Sequence, residues 1–189
     1  MLKIAVSGAH GTGKTTLCEF LEQNADRELD LAICREVPRI IIETVGDPGF
    51  FKRGSNTISR QLLIFLYQME EERKKGAGRR SLLCDRTPVD HLAYTISNHG
   101  EFRNTEEYVA LRSLIAEWLA TFDIIFKVPI EFQVQDDGVR EGAVDFQVEI
   151  DLLIDELYAE YLVPVVVVTG SVEQRAQTIH AAIQSKLGA

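Results

Sequence analysis

The sequence predicts an α/β fold in which a parallel β-sheet is covered by helices on both faces. Short apolar runs alternate with longer helical segments along the chain, and this alternation is typical of parallel strands joined by crossover helices. The β-branched run Val165–Val168 indicates a strand buried on both sides. With 189 residues, 46% of them hydrophobic, residues 1–189 are expected to form a single domain with its own core.

The elements follow one another in a regular order. The predicted strands are Leu2–Val6, Leu29–Val37, Ser81–Asp85, Asp123–Val128 and Val163–Thr169. The predicted helices are Lys14–Ala25, Arg39–Val45, Ile58–Lys74, Pro88–Asn98, Thr105–Thr121, Val144–Tyr161 and Ser171–Leu187. Two polar, glycine-containing stretches, residues 46–56 and 130–142, fit neither pattern. Because long loops in compact domains are usually functional, we predict that 46–56 covers an acceptor and that 130–142 is a lid.

A glycine-rich segment, GAHGTGKTT, follows the first predicted strand. It matches the pattern G-x-x-x-x-G-K-[ST], in which backbone amides surround phosphates, the lysine reaches the β and γ oxygens and the hydroxyl coordinates Mg²⁺. The helix predicted from Lys14 adds its N-terminal dipole. Residues 8–15, hereafter the phosphate loop, are therefore predicted to bind a nucleotide, with Thr15 on the metal. The predicted contacts are Gly8, Ala9, His10, Gly11, Thr12, Gly13, Lys14, Thr15 and Thr16.

Two carboxylates stand where predicted strands end, which is the edge at which open parallel sheets bind ligands. Asp85 ends the third strand and suits the Mg²⁺ shell, since this metal takes few protein carboxylates directly. Glu36 lies at the end of the second strand and is predicted to accept, or hold in line, the attacking hydroxyl of an acceptor. For both residues a helix cap or a surface ion pair is the alternative interpretation.

Composition excludes several classes of protein. The formal net charge of −9 argues against nucleic-acid binding, which depends on Lys and Arg neutralising phosphates. No signal peptide and no run of transmembrane length is visible, so a cytoplasmic protein without a membrane partner is expected. The three cysteines are scattered without metal-site spacing, and we interpret them as reduced core thiols.

Four segments together carry a family resemblance: VSGAHGTGKTTL at Val6–Leu17, REVPR at Arg35–Arg39, LLCDRTPVDHLAY at Leu82–Tyr94 and DDGVRE at Asp136–Glu141. They resemble the AAA-domain family of small P-loop ATPases and kinases. That family is similar to the ribosylnicotinamide-kinase domain of NadR and, more distantly, to deoxynucleoside and thymidylate kinases. The resemblance implies a three-layer P-loop NTPase sandwich with strand order 2-3-1-4-5, and Mg-ATP on the loop. It also implies an acceptor site between the second and third strand ends.

The resemblance also assigns roles to individual residues. It implies that Glu36 faces the acceptor hydroxyl, that Asp85 and Arg86 are the Asp-Arg pair of nucleoside kinases, and that Arg140 is a lid arginine. A lid guanidinium fits the chemistry, because phosphoryl transfer needs mobile cations around the spreading charge. The alternative for Arg140 is pairing with neighbouring acidic residues in a solvated turn. For Arg175, stacking on the adenine and a solvated helix face are the two interpretations.

The acceptor itself stays open at this point. Arg39, Arg53 and Arg86 together would bind an acceptor phosphate, whereas surface positions for Arg39 and Arg53 would leave a neutral nucleoside as acceptor. Phe50, Phe51 and Tyr67 are candidates for stacking on a base, with core positions as the alternative.

The sequence thus predicts an ATP-dependent small-molecule kinase acting on a nucleoside or nucleotide, and it leaves open whether the chain forms a homodimer. The alternative is a regulatory ATPase or nucleotide-dependent switch that acts on a protein partner. A GTPase is disfavoured because neither N-K-x-D nor D-x-x-G follows at the required positions.

Overall fold

The computed structural model describes residues 1–24, 29–38, 40–41, 57–131 and 143–188. The strands are β1 (Leu2–Ser7), β2 (Leu31–Cys34), β3 (Ser81–Asp85), β4 (Ile124–Lys127) and β5 (Val166–Val167). The helices are α1 (Lys14–Asn24), α2 (Ile58–Gly76), α3 (Pro88–Asn98), α4 (Glu106–Leu119), α5 (Ala143–Glu160) and α6 (Val172–Leu187). A 3₁₀ helix, Gly100–Asn104, connects α3 to α4.

The five strands form one parallel sheet in the order β2-β3-β1-β4-β5, which confirms the predicted topology. In the register, Val6 of β1 lies beside Asp85 of β3 and Ser7 lies beside Lys127 of β4. The carboxyl ends of the three central strands are therefore level with one another. The residues that follow β1, β3 and β4 meet at a common edge of the sheet.

The sheet has a separate apolar core on each face. Leu2, Ile4 and Val6 of β1 pack in one cluster with residues of α1 and α6. Ala5 points to the other face and packs in a larger cluster with residues of α2, α3, α4 and α5. Because successive strand residues point to opposite faces, this division follows from the period of two along β1. Burial of the central strand on both faces agrees with the parallel sheet predicted.

Two expectations for the strands are wrong. Val166 and Val167 of β5 are 46% and 57% exposed, although the valine run predicted burial on both sides. β5 pairs only with β4 and stands at the edge of the sheet, and a run of valines does not distinguish an edge strand from a central one. The second and fifth strands are also shorter than predicted, because only Leu31–Cys34 pairs with β3 and only Val166–Val167 pairs with β4.

Several further findings bear on the sequence predictions. Of the helix predicted at Arg39–Val45, only residues 40 and 41 are described, and the loop 46–56 lies outside the described residues. Cys18, Cys34 and Cys84 are free and buried, as predicted. In the part of the chain that the structure describes, no helix is both long and apolar enough to cross a membrane.

Candidate active site

The phosphate loop connects the end of β1 to the start of α1, as the sequence predicts. Gly8 has a φ of 143°, a conformation that side chains rarely adopt. A Cβ atom at this position would overlap the carbonyl oxygen of Val128. The glycine is therefore required by the close approach of two backbones, where the loop leaves β1 beside the residue that follows β4.

Side chains of α3, the buried Asp90 and the partly buried Tyr94, hold the first half of the loop. Asp90 accepts a hydrogen bond from the backbone N–H of Gly8 at 2.9 Å and also accepts from the N–H of Thr87 at 2.8 Å. One turn later, the hydroxyl of Tyr94 accepts from the N–H of His10 at 3.0 Å and contacts its Nδ1 at 3.0 Å. The helix that follows β3 thus fixes the conformation of the loop that follows β1.

Lys14 lies within the loop. Its Nζ donates to the carbonyl oxygen of Ala9 at 2.5 Å and lies 3.4 Å from the hydroxyl of Thr12. Burial, reinforced by the charge of Arg86, lowers the pKa of Lys14 to about 8, although Asp90, Asp85 and Glu36 act in the opposite direction. The ammonium is desolvated in a site that holds another cation, and this arrangement favours a negatively charged ligand.

The two residues predicted to serve a metal are in contact. The Thr15 hydroxyl donates to Oδ2 of Asp85 at 2.8 Å. The second oxygen, Oδ1, is buried and makes no hydrogen bond among the described residues. Burial raises the pKa of Asp85 above its usual value. An unpartnered carboxylate oxygen beside a hydroxyl is a donor set that fits Mg²⁺, because a dication offsets the lost hydration of the carboxylate.

Glu36 and Arg86 form an ion pair between Oε1 and Nη2 at 2.9 Å, and both side chains are largely buried. Burial opposes the charge of Arg86, but Glu36 and other anionic neighbours outweigh it and raise the pKa of the guanidinium above its ordinary value. Arg86 also has a φ of 99°, a strained backbone conformation that persists only where surrounding structure imposes it. The ion pair predicted as an alternative for Glu36 exists, but it lies inside the site rather than on the surface.

A cavity of about 310 Å³ opens beside this ion pair. Its described lining is His10, Glu36, Pro38, Gln61, Ile64, Arg86, His91, Tyr94, Asn98 and Phe146. Burial, followed by the charge of Arg86, lowers the pKa of His91 to about 4, so its imidazole is neutral at pH 7. The cavity, hereafter the acceptor cavity, therefore combines the aromatic rings of His10, His91, Tyr94 and Phe146 with the paired charges of Glu36 and Arg86.

A second cavity, of about 450 Å³, lies over the phosphate loop and is lined by loop residues that include Gly11, Gly13 and Lys14. It shares three residues, His10, Glu36 and Arg86, with the acceptor cavity. The two cavities therefore meet at the Glu36–Arg86 pair. A phosphate on the loop and a small molecule in the acceptor cavity would approach each other at this junction.

The remaining predicted site residues line neither of these two cavities or are not described by the structure. Arg175 is buried under the phosphate loop, so the interpretation of a solvated helix face is wrong. The helix α6 directs it inward, where it bonds to the loop backbone. Tyr67 packs beside the small apolar cluster Val37, Ile41 and Ile64, in agreement with its core alternative. Arg39, Phe50, Phe51, Arg53 and Arg140, and the predicted lid from residue 132 onward, lie outside the described residues.

Sequence reasoning missed the contribution of α3 to the acceptor cavity. His91, Tyr94 and Asn98 all line it, and their spacings of three and four residues place them on one face of a helix. The sequence pattern that could have indicated them is the polar and aromatic face of the helix that begins just after Asp85 and Arg86. Phe146, which also lines the cavity, carried no such signal, because its position depends on how α5 packs.

A sequence model of the AAA domain family matches residues 3–175. No curated protein sequence matches the chain. Among solved structures, NadR in complex with NR matches with a TM-score of 0.71 and 18% identity, over 100% of this chain and 52% of that chain. The chain thus spans about half the length of that NadR chain.

Two kinase structures match over nearly their whole length. Thymidylate kinase from Ehrlichia chaffeensis has a TM-score of 0.61 and 16% identity, covering 98% of each chain. Deoxyadenosine kinase from M. mycoides with bound dATP has a TM-score of 0.58 and 17% identity, covering 100% of each chain. At these identities the likeness establishes the fold.

Proposed function

Because this chain belongs to the AAA domain family and has the fold of the P-loop kinases, we propose that it transfers the γ-phosphoryl group of ATP to a small molecule. The acceptor is a nucleoside or nucleotide. The observation that carries the proposal is the junction of the two cavities at Glu36 and Arg86. A donor cavity that opens directly onto a second, partly apolar cavity is the arrangement that a two-substrate transfer requires.

The proposed reaction uses Glu36 as the proton acceptor. The acceptor hydroxyl loses its proton to Glu36, its oxygen forms a bond to the γ-phosphorus, and the bond from that phosphorus to the β–γ bridging oxygen breaks to release ADP. Arg86 holds Glu36 in place through their ion pair and lies on the boundary of both cavities. Lys14 is proposed to bind the β and γ oxygens.

Thr15 and Asp85 are the residues proposed to hold Mg²⁺. Magnesium held there would supply positive charge beside the phosphates during transfer. Within the described residues no group of three or more metal-binding His, Cys, Asp or Glu side chains occurs. The set of two oxygen donors, the Thr15 hydroxyl and the Asp85 carboxylate, fits magnesium, since Mg²⁺ retains water and phosphate ligands.

An uncharged nucleoside is the acceptor that the described lining favours. Arg86 is the one permanently charged cation among the described lining residues, and it is already paired with Glu36. The low pKa of His91, about 4, means that this residue adds no positive charge at pH 7. His10, Tyr94 and Phe146 offer aromatic faces against which a planar base would pack.

The decisive experiment measures ADP release with a panel of nucleosides and the matching 5′-monophosphates. ADP production that depends on a nucleoside would support the proposal. Production that depends only on a monophosphate would support a nucleotide kinase and overturn the preference for an uncharged acceptor. ADP production that no acceptor stimulates would indicate the regulatory ATPase instead.

Arg140 remains a prediction from the sequence. If it supplies a planar, bidentate cation to the transferring phosphoryl group, then Arg140→Lys should reduce kcat about as strongly as Arg140→Ala, because a point charge does not replace the fork. Both variants should bind ATP nearly normally. Steady-state kinetics with separately measured ATP affinity test this expectation, and a normal kcat for Arg140→Ala would contradict it.

A further inference from the structure

Two buried side chains from the C-terminal half of the chain hold carbonyl groups of the phosphate loop. The Nη1 atom of Arg175 on α6 donates to the carbonyl oxygen of Thr12 at 3.0 Å. The Nε2 atom of Gln147 on α5 donates to the carbonyl oxygen of His10 at 2.6 Å. Arg175 is 5% exposed and Gln147 is 1% exposed, so both donor side chains are shielded from water.

The carbonyls that they hold determine where two amides point. In a trans peptide the C=O and the following N–H point in opposite directions because the unit is planar. The amide of Gly13 therefore points away from Arg175, and the amide of Gly11 points away from Gln147. Gly11 and Gly13 line the cavity over the phosphate loop, whereas neither Arg175 nor Gln147 is among its described lining residues. Each side chain thus acts on the outer side of the loop.

Arg175 is itself held in place. Its Nη2 atom pairs with Oε2 of Glu131 at 2.6 Å, and Glu131 also accepts from the N–H of Gly170 at 3.0 Å. The hydrogen bond from Arg175 and then the one from Gly170 lower the pKa of Glu131 below its usual value. Segments that follow β4 and β5 therefore combine to fix one guanidinium against the backbone of the loop after β1.

We propose that Arg175 and Gln147 are positioning residues that orient the amides of Gly13 and Gly11 toward the phosphates of the nucleotide. They act through the loop backbone, and Arg175 does not recognise the base. The inference rests on the proposed function insofar as the ligand of the loop is a nucleotide phosphate. Glycine at position 13 fits this role, because its φ of 88° is needed for the peptide orientation.

The test compares ligands that share phosphates and differ in the base. Dissociation constants are measured for Mg-ATP, Mg-GTP and inorganic tripolyphosphate with the full chain and with Arg175→Met and Gln147→Met. Each variant should raise the dissociation constants of all three ligands by the same factor. A factor of about ten is expected, because one hydrogen bond that orients a contact to a charged group is lost. The ratio of the ATP and GTP constants should stay at its wild-type value. Gln177→Met, at an exposed position of α6, is the matched control and should change nothing.

Different outcomes separate the alternatives. A loss for Arg175→Met that is confined to ATP, with tripolyphosphate unaffected, would identify base stacking and overturn the proposal. Wild-type affinities in both variants would also overturn it. A wild-type chain that binds no triphosphate would contradict the proposed function itself. The orienting role can still be tested in that case by the amide NMR chemical shifts of the two glycines. Arg175→Met should change the shift of Gly13, and Gln147→Met should change the shift of Gly11. Unchanged shifts would refute the orienting role.

A milder substitution guards against simple unfolding. Glu131→Gln removes the charge that fixes Arg175 but keeps the guanidinium. It should raise the dissociation constants of all three ligands by one common factor, smaller than that of Arg175→Met. If Glu131 had only a structural role, its substitution would lower the melting temperature and leave the affinities at 25 °C unchanged. An unchanged affinity in Glu131→Gln, together with a lowered melting temperature, would count against the proposal.

Discussion

At the scale of single residues, the site contains ionisable groups whose charged forms are made unfavourable by burial. Lys14 is 4% exposed, and burial together with the charge of Arg86 lowers its pKa to about 8. Asp85 is buried as well, with 2% of its surface exposed, and desolvation raises its pKa. Each group is unfavourably charged in isolation, and each is relieved by a ligand of opposite charge. Binding of Mg-ATP should therefore be coupled to protonation.

The pKa of Lys14 predicts how ATP affinity depends on pH. A triphosphate favours the protonated ammonium, so its binding should raise this pKa and take up a proton at pH values near and above 8. The contribution of Lys14 to ATP affinity should consequently be constant below about pH 7 and decrease by up to about tenfold per pH unit above pH 8. Calorimetric titrations at pH 8.5 in buffers of different ionisation enthalpy measure the proton uptake.

Lys14→Arg is the matched control for this prediction, because arginine keeps the charge and does not titrate in this range. Its ATP affinity should be lower than that of the wild type but independent of pH between 7 and 9.5. If the arginine variant retained the wild-type pH dependence, another group would be responsible. Lys14→Ala should reduce turnover more than affinity, since the contact strengthens as charge develops on the transferring phosphoryl group.

The two carboxylates should have separable roles. Asp85 contacts Thr15 and is proposed to serve the metal, whereas Glu36 lines both cavities and is proposed to serve the acceptor. Asp85→Asn should increase the magnesium concentration needed for half-maximal rate. Glu36→Gln should lower kcat by about 10²-fold or more with little change in Mg-ATP binding. Magnesium titrations of the rate distinguish them, and identical profiles would refute the division of roles.

At the scale of secondary-structure elements, α3 connects the two substrate cavities to the fold. Its N-terminal cap consists of Thr87 and Asp90 in a reciprocal capping box, and the same Asp90 carboxylate accepts from Gly8 of the phosphate loop. Its next turns supply His91, Tyr94 and Asn98 to the acceptor cavity. One helix therefore follows β3, supports the phosphate loop and lines the acceptor cavity.

Loss of Asp90 should destabilise the protein more than loss of an ordinary helix cap. Asp90→Ala leaves the buried N–H groups of Gly8 and Thr87 without an acceptor, which should lower the free energy of unfolding by about 3 kcal/mol. Thr105→Ala is the control, because Thr105 caps α4 at a partly buried site and its loss should reduce stability by only about 1 kcal/mol. Urea denaturation measures both values, and equal losses would show that the bond to Gly8 contributes nothing.

The elements also show which features the sequence could predict. The position of the phosphate loop between β1 and α1 and the bounds of β3 and α3 were predicted correctly. Their signals are local: a glycine spacing, a buried run ending in Asp85, and a Pro at the start of a helix. The exposure of Val166 and Val167 was not predictable from local pattern, since it depends on which strand pairs with β5. The burial of Arg175 was missed for the same reason, because Glu131 and Thr12, its partners, are distant in sequence.

At the scale of the whole molecule, the strand order explains how distant segments share one site. β1 lies in the centre, between β3 and β4, so the phosphate loop has neighbours on both sides. The segment after β3 contributes Asp85, Arg86 and α3, and segments after β4 and β5 contribute Glu131 and Arg175. This order was expected only through the family resemblance, because periodicity alone predicts strands and not their arrangement. The pairing of Glu36 with Arg86 follows from β2 lying next to β3.

Because all three sulfur atoms are buried, the native thiols of the folded protein should not react with thiol reagents. Cys18, Cys34 and Cys84 are at most 2% exposed, and burial raises the pKa of the Cys18 and Cys84 thiols well above the usual value. A maleimide or an aromatic disulfide reagent should react with none of them within minutes in buffer, and with three in guanidinium chloride. The variant Val109→Cys would then carry one fast-reacting thiol, because position 109 is 65% exposed on α4. A fluorophore could be attached there without removing any native cysteine, and rapid labelling of the unmodified chain would show that its interior opens to reagents.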